Sequence, residues 1–300
     1  MSESSGREPS APPAPPPGPP ALKPLRFPLA LDQLKPGPAV APAGARPAEL
    51  LRPQRHLQQA AADGLRRTPP SGLGLDSSAV RARMVQRLRQ DGVRPEAVLA
   101  AFEAVPRHRF VDSALAGQAY EDTSLPIGLQ QTISKPSVVA RMLALLFEGG
   151  HAQRHGHLGR VLEVGTGCGY QTALLARLAS SVVSIERLQP LHERARQHLA
   201  ALQQAPLQSP QLRLLHADGR LGHAPSGPFD SIIAAAGGEA LPEAWTTQLA
   251  VGGRIVAPMV DRVRGQQVLL VVDRHAPGPQ GLQQSWRDAV HFVPLKSGLA

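Results

Sequence analysis

From residue 160 onward, the chain alternates short apolar runs with helical segments. The apolar runs are rich in Val, Ile and Leu and predict strands at 160–164, 181–186, 211–218, 229–237 and 254–259. Helical patterns separate several of them, at 170–179, 190–204 and 241–250. Parallel strands need such crossovers, so the alternation predicts an α/β fold with a mainly parallel sheet and helices on both faces. Two later runs, 266–273 and 287–295, lack an intervening helix and predict an antiparallel C-terminal strand pair.

Three predicted helices precede this alternation. In residues 78–90, Val80, Met84 and Leu88 recur every fourth position, as is typical of an amphipathic helix. A second helix is predicted over 95–104, with a proline as its first residue. The third starts at Pro136 and ends at the glycine pair 149–150.

Residues 1–75 differ in composition from the rest of the chain. The whole chain has 31 prolines, and 17 of them lie within residues 1–70. Such a segment buries too little apolar surface to offset the entropy lost on ordering. We therefore expect a disordered Pro/Ala-rich extension over 1–75 and one folded domain over 76–300.

Composition also disfavours several kinds of function. No apolar run approaches the roughly 18 residues of a membrane-spanning helix. The single cysteine, Cys168, excludes an intrachain disulfide and a cysteine-based zinc site. His151, His155 and His157 cluster without a nearby acidic residue, so we expect a solvated connector and no metal site there. The net charge of +9 is scattered and aromatic residues make up only 3%, which disfavours nucleic-acid binding.

A glycine-rich loop joins the first strand of the alternation to its helix. Gly165, Gly167 and Gly169 follow a G-x-G-x-G spacing, whereas dinucleotide-binding loops follow G-x-G-x-x-G. Glu163 lies two residues before the loop, where a carboxylate suits a cationic ligand better than a pyrophosphate. S-adenosyl-L-methionine carries an ammonium and a sulfonium group and is the ligand we expect. A nicotinamide cofactor or a plain tight turn is the alternative.

Acidic residues also close the next two predicted strands. Glu186 follows Gly165 by 21 residues and could accept both hydroxyls of a ribose. Asp218 and Gly219 close the third strand and are placed to contact an adenine edge. Because the carboxyl ends of parallel strands meet at one edge of a sheet, these residues favour the S-adenosylmethionine interpretation.

A second group of polar residues lies in the segment 126–136. If 131–135 is extended, Thr132 and Ser134 share one face and Ile133 points the opposite way. Two hydroxyls beside the helix that begins at Pro136 could bind an anion. Capping of that helix by Ser134 explains the pattern equally well.

Taken together, these stretches resemble the protein-L-isoaspartate (D-aspartate) O-methyltransferase family. The matching segments include VPRHRFV (105–111), AYEDTSLPIG (119–128), QTISKPSVVARML (131–143), VLEVGTGCGYQTA (161–173), VVSIERLQPL (182–191), FDSIIAAAG (229–237) and FVPL (292–295). The resemblance implies a Rossmann-like S-adenosylmethionine-dependent methyltransferase fold. It also implies methylation of the α-carboxylate of L-isoaspartyl and D-aspartyl residues in damaged proteins, which starts repair through a succinimide. Methyl transfer to another class of substrate is the alternative.

The resemblance also implies roles for individual residues. Ser134 falls on the catalytic serine of the family. Cofactor contacts are expected at Gln131, Thr132, Ile133, Ser134, Glu163, Gly165, Thr166, Gly167, Glu186, Arg187, Asp218 and Gly219.

The chain departs from the family pattern at three places. Leu129 and Gln130 replace an aromatic residue and a glycine, Glu163 replaces an aspartate, and the segment 235–238 is small and apolar. The first and third differences concern the cleft for the peptide substrate.

The resemblance divides the folded domain into three parts. Residues 76–150 form the helical, substrate-side segment, 158–260 the cofactor-binding core and 261–300 the C-terminal strands. Isoaspartyl proteins and peptides are the expected partners, without nucleic acid or membrane, and we expect a cytoplasmic monomer.

Overall fold

The computed structural model describes residues 78–203 and 211–300. The predicted disordered extension over 1–75 lies outside the described residues. Within the described residues, no helix combines the length and the apolar character that crossing a membrane requires.

A seven-stranded sheet forms the centre of the fold, with a separate two-stranded hairpin beside it. The hairpin consists of β1 (Leu125–Gly128) and β2 (Gln131–Ile133), and the sheet of β3 (Arg160–Val164), β4 (Ser181–Glu186), β5 (Gln211–His216), β6 (Phe229–Ala234), β7 (Leu249–Asp261), β8 (Gln266–Arg274) and β9 (Leu282–Ala289). The order across the sheet is β5-β4-β3-β6-β7-β8-β9. Strands β3 to β7 pair in parallel, whereas β8 is antiparallel to both β7 and β9. The predicted parallel sheet with an antiparallel C-terminal pair is confirmed.

The helices cover both faces of this sheet. They are α1 (Ser78–Gln90), α2 (Glu96–Ala104), α3 (Pro136–Phe147), α4 (Gly150–His155), α5 (Tyr170–Leu178), α6 (Gln189–Gln203) and α7 (Glu243–Thr247). Successive strand residues enter opposite cores because side chains alternate along a strand. Val161 packs with the larger core around α1, α2, α3 and α5, and Leu162 packs with the smaller core around Trp245 of α7.

Several predicted boundaries were wrong at the C-terminal side of the sheet. The strand predicted at 254–259 is longer, because β7 begins at Leu249 and includes the glycines at 252 and 253. β9 ends at Ala289, while the apolar segment 290–295, predicted as strand, returns across the sheet to bond Gly237. Its apolar residues pack as a loop, with Phe292 buried. The exposed β9 offered little apolar signal.

Two features of the helical half also differ from prediction. Pro95 precedes α2 as its N-cap and is not the first helical residue. The predicted connector with the three histidines is partly helical, because His151 and His155 belong to α4. Asp230 also approaches His151, with 3.4 Å between Nδ1 and the carboxylate, an acidic neighbour that is remote in sequence.

Candidate active site

A cavity of about 300 Å³ opens at the carboxyl ends of the parallel strands. Val164 of β3, Ile185 and Glu186 of β4, and Ala235 after β6 line its floor. The β1–β2 hairpin and residues 293–296 form further walls. Ligands of open parallel sheets bind at this edge, and the cavity has the volume of a small-molecule site.

The glycine-rich loop forms one wall of the cavity. Its three glycines have φ angles of 92°, 56° and 91°, which favour residues without a Cβ. The Gly165 amide donates to the Ile185 carbonyl (2.8 Å), and the Gly167 amide donates to Oε2 of Glu186 (2.9 Å). The Thr166 hydroxyl shares a 2.6 Å hydrogen bond with that of Ser184. The loop is therefore fixed against the end of β4.

Glu186 lies at the cavity wall with only 5% of its surface exposed. One carboxylate oxygen accepts from Gly167, and the other accepts from the Leu188 amide at 3.0 Å. A carboxylate has about four acceptor positions, so both oxygens retain capacity for ligand hydroxyls. Leu188 and Leu191 form an apolar wall next to it.

Glu163 lies behind the glycine loop and not on the cavity wall. It is fully buried, and Gln171 donates to its Oε1 at 3.0 Å. Thr172 and Ser184 donate to its Oε2 at 2.5 Å and 2.6 Å. This carboxylate joins β3, β4 and α5 beneath the loop, and its predicted cofactor contact stays a prediction.

The same burial makes the stability of the protein depend on pH through Glu163. Loss of solvation raises the pKa of Glu163 from 4.5 to about 7, and three hydrogen bonds oppose this rise only partly. Between these values the folded protein keeps a proton that the unfolded chain has lost. The free energy of unfolding should therefore fall by about 3 kcal/mol as pH rises from 4.5 to 7.

Glu163→Gln should remove this contribution, because the amide has the same shape but does not titrate. Urea unfolding at several pH values from 4.5 to 8 would measure it, with Glu103→Gln on the exposed face of α2 as the control. Parallel pH profiles for the wild type and Glu163→Gln would contradict the assignment.

Asp218 is likewise held away from the cavity wall. Its Oδ1 accepts from the Arg220 amide (2.9 Å), and its Oδ2 accepts from the Gly298 amide (2.7 Å). Gly219 does line the cavity, and its carbonyl accepts a 2.8 Å hydrogen bond from the buried Trp245 indole. The Asp218 side chain anchors the turn that presents Gly219, and its predicted adenine contact stays a prediction.

The β1–β2 hairpin brings the QTIS segment to the opposite wall. Leu129 and Gln130 form its two-residue tip with φ angles of 52° and 58°, a left-handed geometry that hairpin turns of this length require. Ile133 is buried and Thr132 is exposed, which agrees with the predicted alternation, but Thr132, Ile133 and Ser134 all line the cavity.

Ser134 does not cap the following helix. The N-cap of α3 is Lys135, and it makes no side-chain capping bond. Within residues 78–203 and 211–300, the Ser134 hydroxyl has no hydrogen-bond partner, and the residue lines the cavity. The hydroxyl is therefore available to a ligand, which favours the anion-binding interpretation over capping.

Most of the predicted site residues meet in this one cavity. The wall includes Gln131, Thr132, Ile133, Ser134, Gly165, Thr166, Gly167, Glu186, Arg187 and Gly219. Sequence reasoning missed Tyr170, Leu191 and the segment 293–296 as lining residues. The segment 292–295 belonged to a quoted match but carried no assigned role.

Cys168 also lines the cavity but is not a candidate nucleophile. Its side chain is buried, and burial raises the pKa of the thiol to about 11. The thiol is therefore protonated at neutral pH. Within the part of the chain that the structure describes, no group of three or more His, Cys, Asp or Glu residues could hold a metal ion.

Comparison with known proteins agrees with this architecture. Protein-L-isoaspartate O-methyltransferase of Methylibium petroleiphilum is 60% identical over 273 residues, which are 91% of this chain and 96% of that protein. The Leptothrix cholodnii protein of the same name is 60% identical over 249 residues, or 82% and 84% of the two chains.

Solved structures show the same fold. A protein-L-isoaspartate O-methyltransferase superposes with a TM-score of 0.62 at 25% identity, covering 73% of this chain and 67% of that one. A Plasmodium falciparum protein solved with S-adenosyl-L-homocysteine gives 0.60 at 22% identity, covering 72% and 98%. The family model described as protein-L-isoaspartate(D-aspartate) O-methyltransferase matches residues 79–300, and this chain therefore belongs to that family.

Proposed function

We propose that this protein transfers a methyl group from S-adenosyl-L-methionine to the α-carboxylate of L-isoaspartyl, and also D-aspartyl, residues in damaged proteins. The observation that carries the proposal is the pairing of an unbonded Ser134 hydroxyl with the Glu186 carboxylate on walls of one cavity, in a chain of this family. The nitrogen of the neighbouring backbone amide then attacks the carbonyl carbon of the methyl ester, and the methoxy group takes up the amide proton and leaves as methanol. The resulting succinimide can hydrolyse to a normal aspartyl linkage without the enzyme.

The residues of the cavity fit this cofactor. Glu186 would accept hydrogen bonds from the ribose hydroxyls, and the glycine loop would allow close backbone approach. Leu188 and Leu191 give the apolar surface that an adenine ring requires. When bound, the cofactor supplies an electrophilic methyl group on a positively charged sulfur. The Glu186 carboxylate at the cavity wall makes the surroundings favourable to that charge.

Ser134 would position the substrate on the other side of the cavity. A carboxylate with a pKa of about 4 is ionised at neutral pH and needs no general base. The Ser134 hydroxyl would donate to one carboxylate oxygen and leave the other oxygen free to react. Alignment of the two reactants and exclusion of water would then supply most of the acceleration.

Paired peptides that differ only in the linkage of one aspartate test the function. With cofactor labelled in its methyl group, we expect base-labile label in the isoaspartyl peptide and background label in the aspartyl peptide. Equal labelling of both peptides would contradict the proposed specificity. Label in small molecules or nucleic acid but in neither peptide would favour a methyltransferase of another substrate class.

The expected cytoplasmic monomer, without nucleic-acid or membrane partners, stays a prediction. Sedimentation of the purified chain would test its oligomeric state.

A further inference from the structure

Arg107 is a fully buried arginine directly behind the Ser134 segment. It begins the short 3₁₀ helix Arg107–Phe110 and has no exposed surface. Its Nη2 donates to the Ser134 carbonyl at 2.7 Å, and its Nε donates to the Ala119 carbonyl at 2.8 Å. A longer contact of 3.4 Å joins Nη2 to the Thr123 carbonyl. One side chain therefore holds three loop segments together beneath the proposed substrate position.

The charge of Arg107 has no carboxylate beside it. Among the residues that the structure describes, no acidic oxygen lies within 4.0 Å of its guanidinium, and its hydrogen bonds of ordinary length all go to backbone carbonyls. The Asp122 carboxylate attracts the guanidinium only from beyond that distance. It accepts hydrogen bonds from the amide and the hydroxyl of Ser137. Burial lowers the pKa of Arg107, but guanidinium groups stay protonated in proteins.

Arg254 shows how this fold otherwise buries an arginine. Its Nε and Nη2 donate to the two carboxylate oxygens of Asp273 at 2.7 Å and 2.8 Å, while Nη1 donates to the Leu145 carbonyl. A buried charge is strongly destabilising unless it is paired. The absence of such a pair at Arg107, and its presence at Arg254, indicates that the charge at Arg107 has a purpose other than stability.

Tyr170 links Arg107 to the cavity. The guanidinium carbon lies 4.8 Å from the centre of the Tyr170 ring, and Tyr170 lines the cavity at the start of α5. Arg107 Nη1 and the Tyr170 hydroxyl are both buried and make no hydrogen bond of ordinary length within the described ranges. The guanidinium and the hydroxyl interact with each other, and this interaction partly opposes the rise that burial causes in the pKa of Tyr170. The guanidinium and this hydroxyl thus lie together between the Ser134 segment and the glycine loop.

We propose that Arg107 is a positioning residue that holds the Ser134 peptide in place and, through a charge that has no carboxylate beside it, makes the Ser134 side of the cavity selective for a carboxylate. The inference rests on the proposed function and names the group that selects an anionic substrate. A charge in a water-poor interior acts strongly on a nearby anion. The Arg107 guanidinium bonds to the backbone carbonyl of Ser134, whose hydroxyl would bind the substrate carboxylate. A neutral substrate group at the same place would gain nothing from it.

Binding of two matched peptides tests this selectivity. One peptide carries an isoaspartyl α-carboxylate and the other carries the α-carboxamide, and calorimetry with S-adenosyl-L-homocysteine present gives both affinities. We expect the wild-type preference for the carboxylate to fall about tenfold or more in Arg107→Gln, which removes one charge. Arg107→Lys should keep the preference but lower kcat about tenfold, because it loses the forked hydrogen bonds. Arg254→Lys is the control and should lower the melting temperature while keeping the preference.

The outcomes separate this inference from the proposed function. A wild type that does not methylate isoaspartyl peptides contradicts the function, whatever the variants do. A wild type that does, combined with an unchanged preference in folded Arg107→Gln, overturns the role of the charge. Loss of the carboxylate preference in folded Arg107→Lys also overturns the role of the charge. This measurement on Arg107→Lys tests the inference if Arg107→Gln does not fold.

Discussion

Replacing Ser134 with alanine should lower kcat for isoaspartyl peptides about a hundredfold, the size expected when a reacting group loses its alignment. The affinity for S-adenosyl-L-homocysteine should change less than about threefold, since the backbone of the QTIS segment remains in place. The melting temperature should also stay near that of the wild type. The Ser134 hydroxyl makes no hydrogen bond to the described residues, so its removal breaks none there.

Ser137→Ala is a matched control three residues further along the chain. Its hydroxyl donates to Asp122 at 2.7 Å and supports the start of α3. This variant should lose stability and retain kcat, the reverse of Ser134→Ala. Turnover of Ser134→Ala within threefold of the wild type would refute the catalytic assignment, whatever the control shows.

The strand ends explain why most of the candidate site could be predicted from sequence. Gly165 and Gly219 follow parallel strands and Glu186 ends one, and parallel strands bring their carboxyl ends to one edge. Local patterns therefore predicted a long-range arrangement. The QTIS wall is less local, because the β1–β2 hairpin lies outside the main sheet. It was predicted through the family resemblance.

Glu163 and Asp218 are held by contacts that their sequence positions did not predict. Glu163 shares its strand face with Val161, where the alternation along β3 buries its side chain under α5. Asp218 is held by the amide of Gly298, which lies 80 residues later in the chain. No local pattern carries information about that contact.

Arg107 illustrates a further limit of sequence reasoning. Arginine is rarely buried without a partner, so a charged residue in the segment 105–111 gives no reason to expect full burial. Its burial depends on carbonyl groups 12, 16 and 27 residues away, which converge only in the folded chain. The strand prediction for the segment 290–295 was wrong for a related reason. Apolar residues packed in a returning loop have the same sequence pattern as a strand.

Glu186→Ala should raise the dissociation constant for S-adenosyl-L-homocysteine about a hundredfold, because two hydrogen bonds to a charged acceptor contribute about 3 kcal/mol together. The substitution also leaves the Gly167 and Leu188 amides without their acceptor and loosens the loop. Glu186→Gln keeps an acceptor oxygen and should weaken binding by a smaller factor.

Calorimetry on folded protein, checked by circular dichroism, measures both variants. At saturating cofactor, Glu186→Ala should recover much of its turnover, whereas Ser134→Ala should not. Within the described chain, the Glu186 carboxylate is bonded only to the amides of Gly167 and Leu188. Equal cofactor affinity in wild type and Glu186→Ala would therefore contradict the proposal that this carboxylate binds the cofactor.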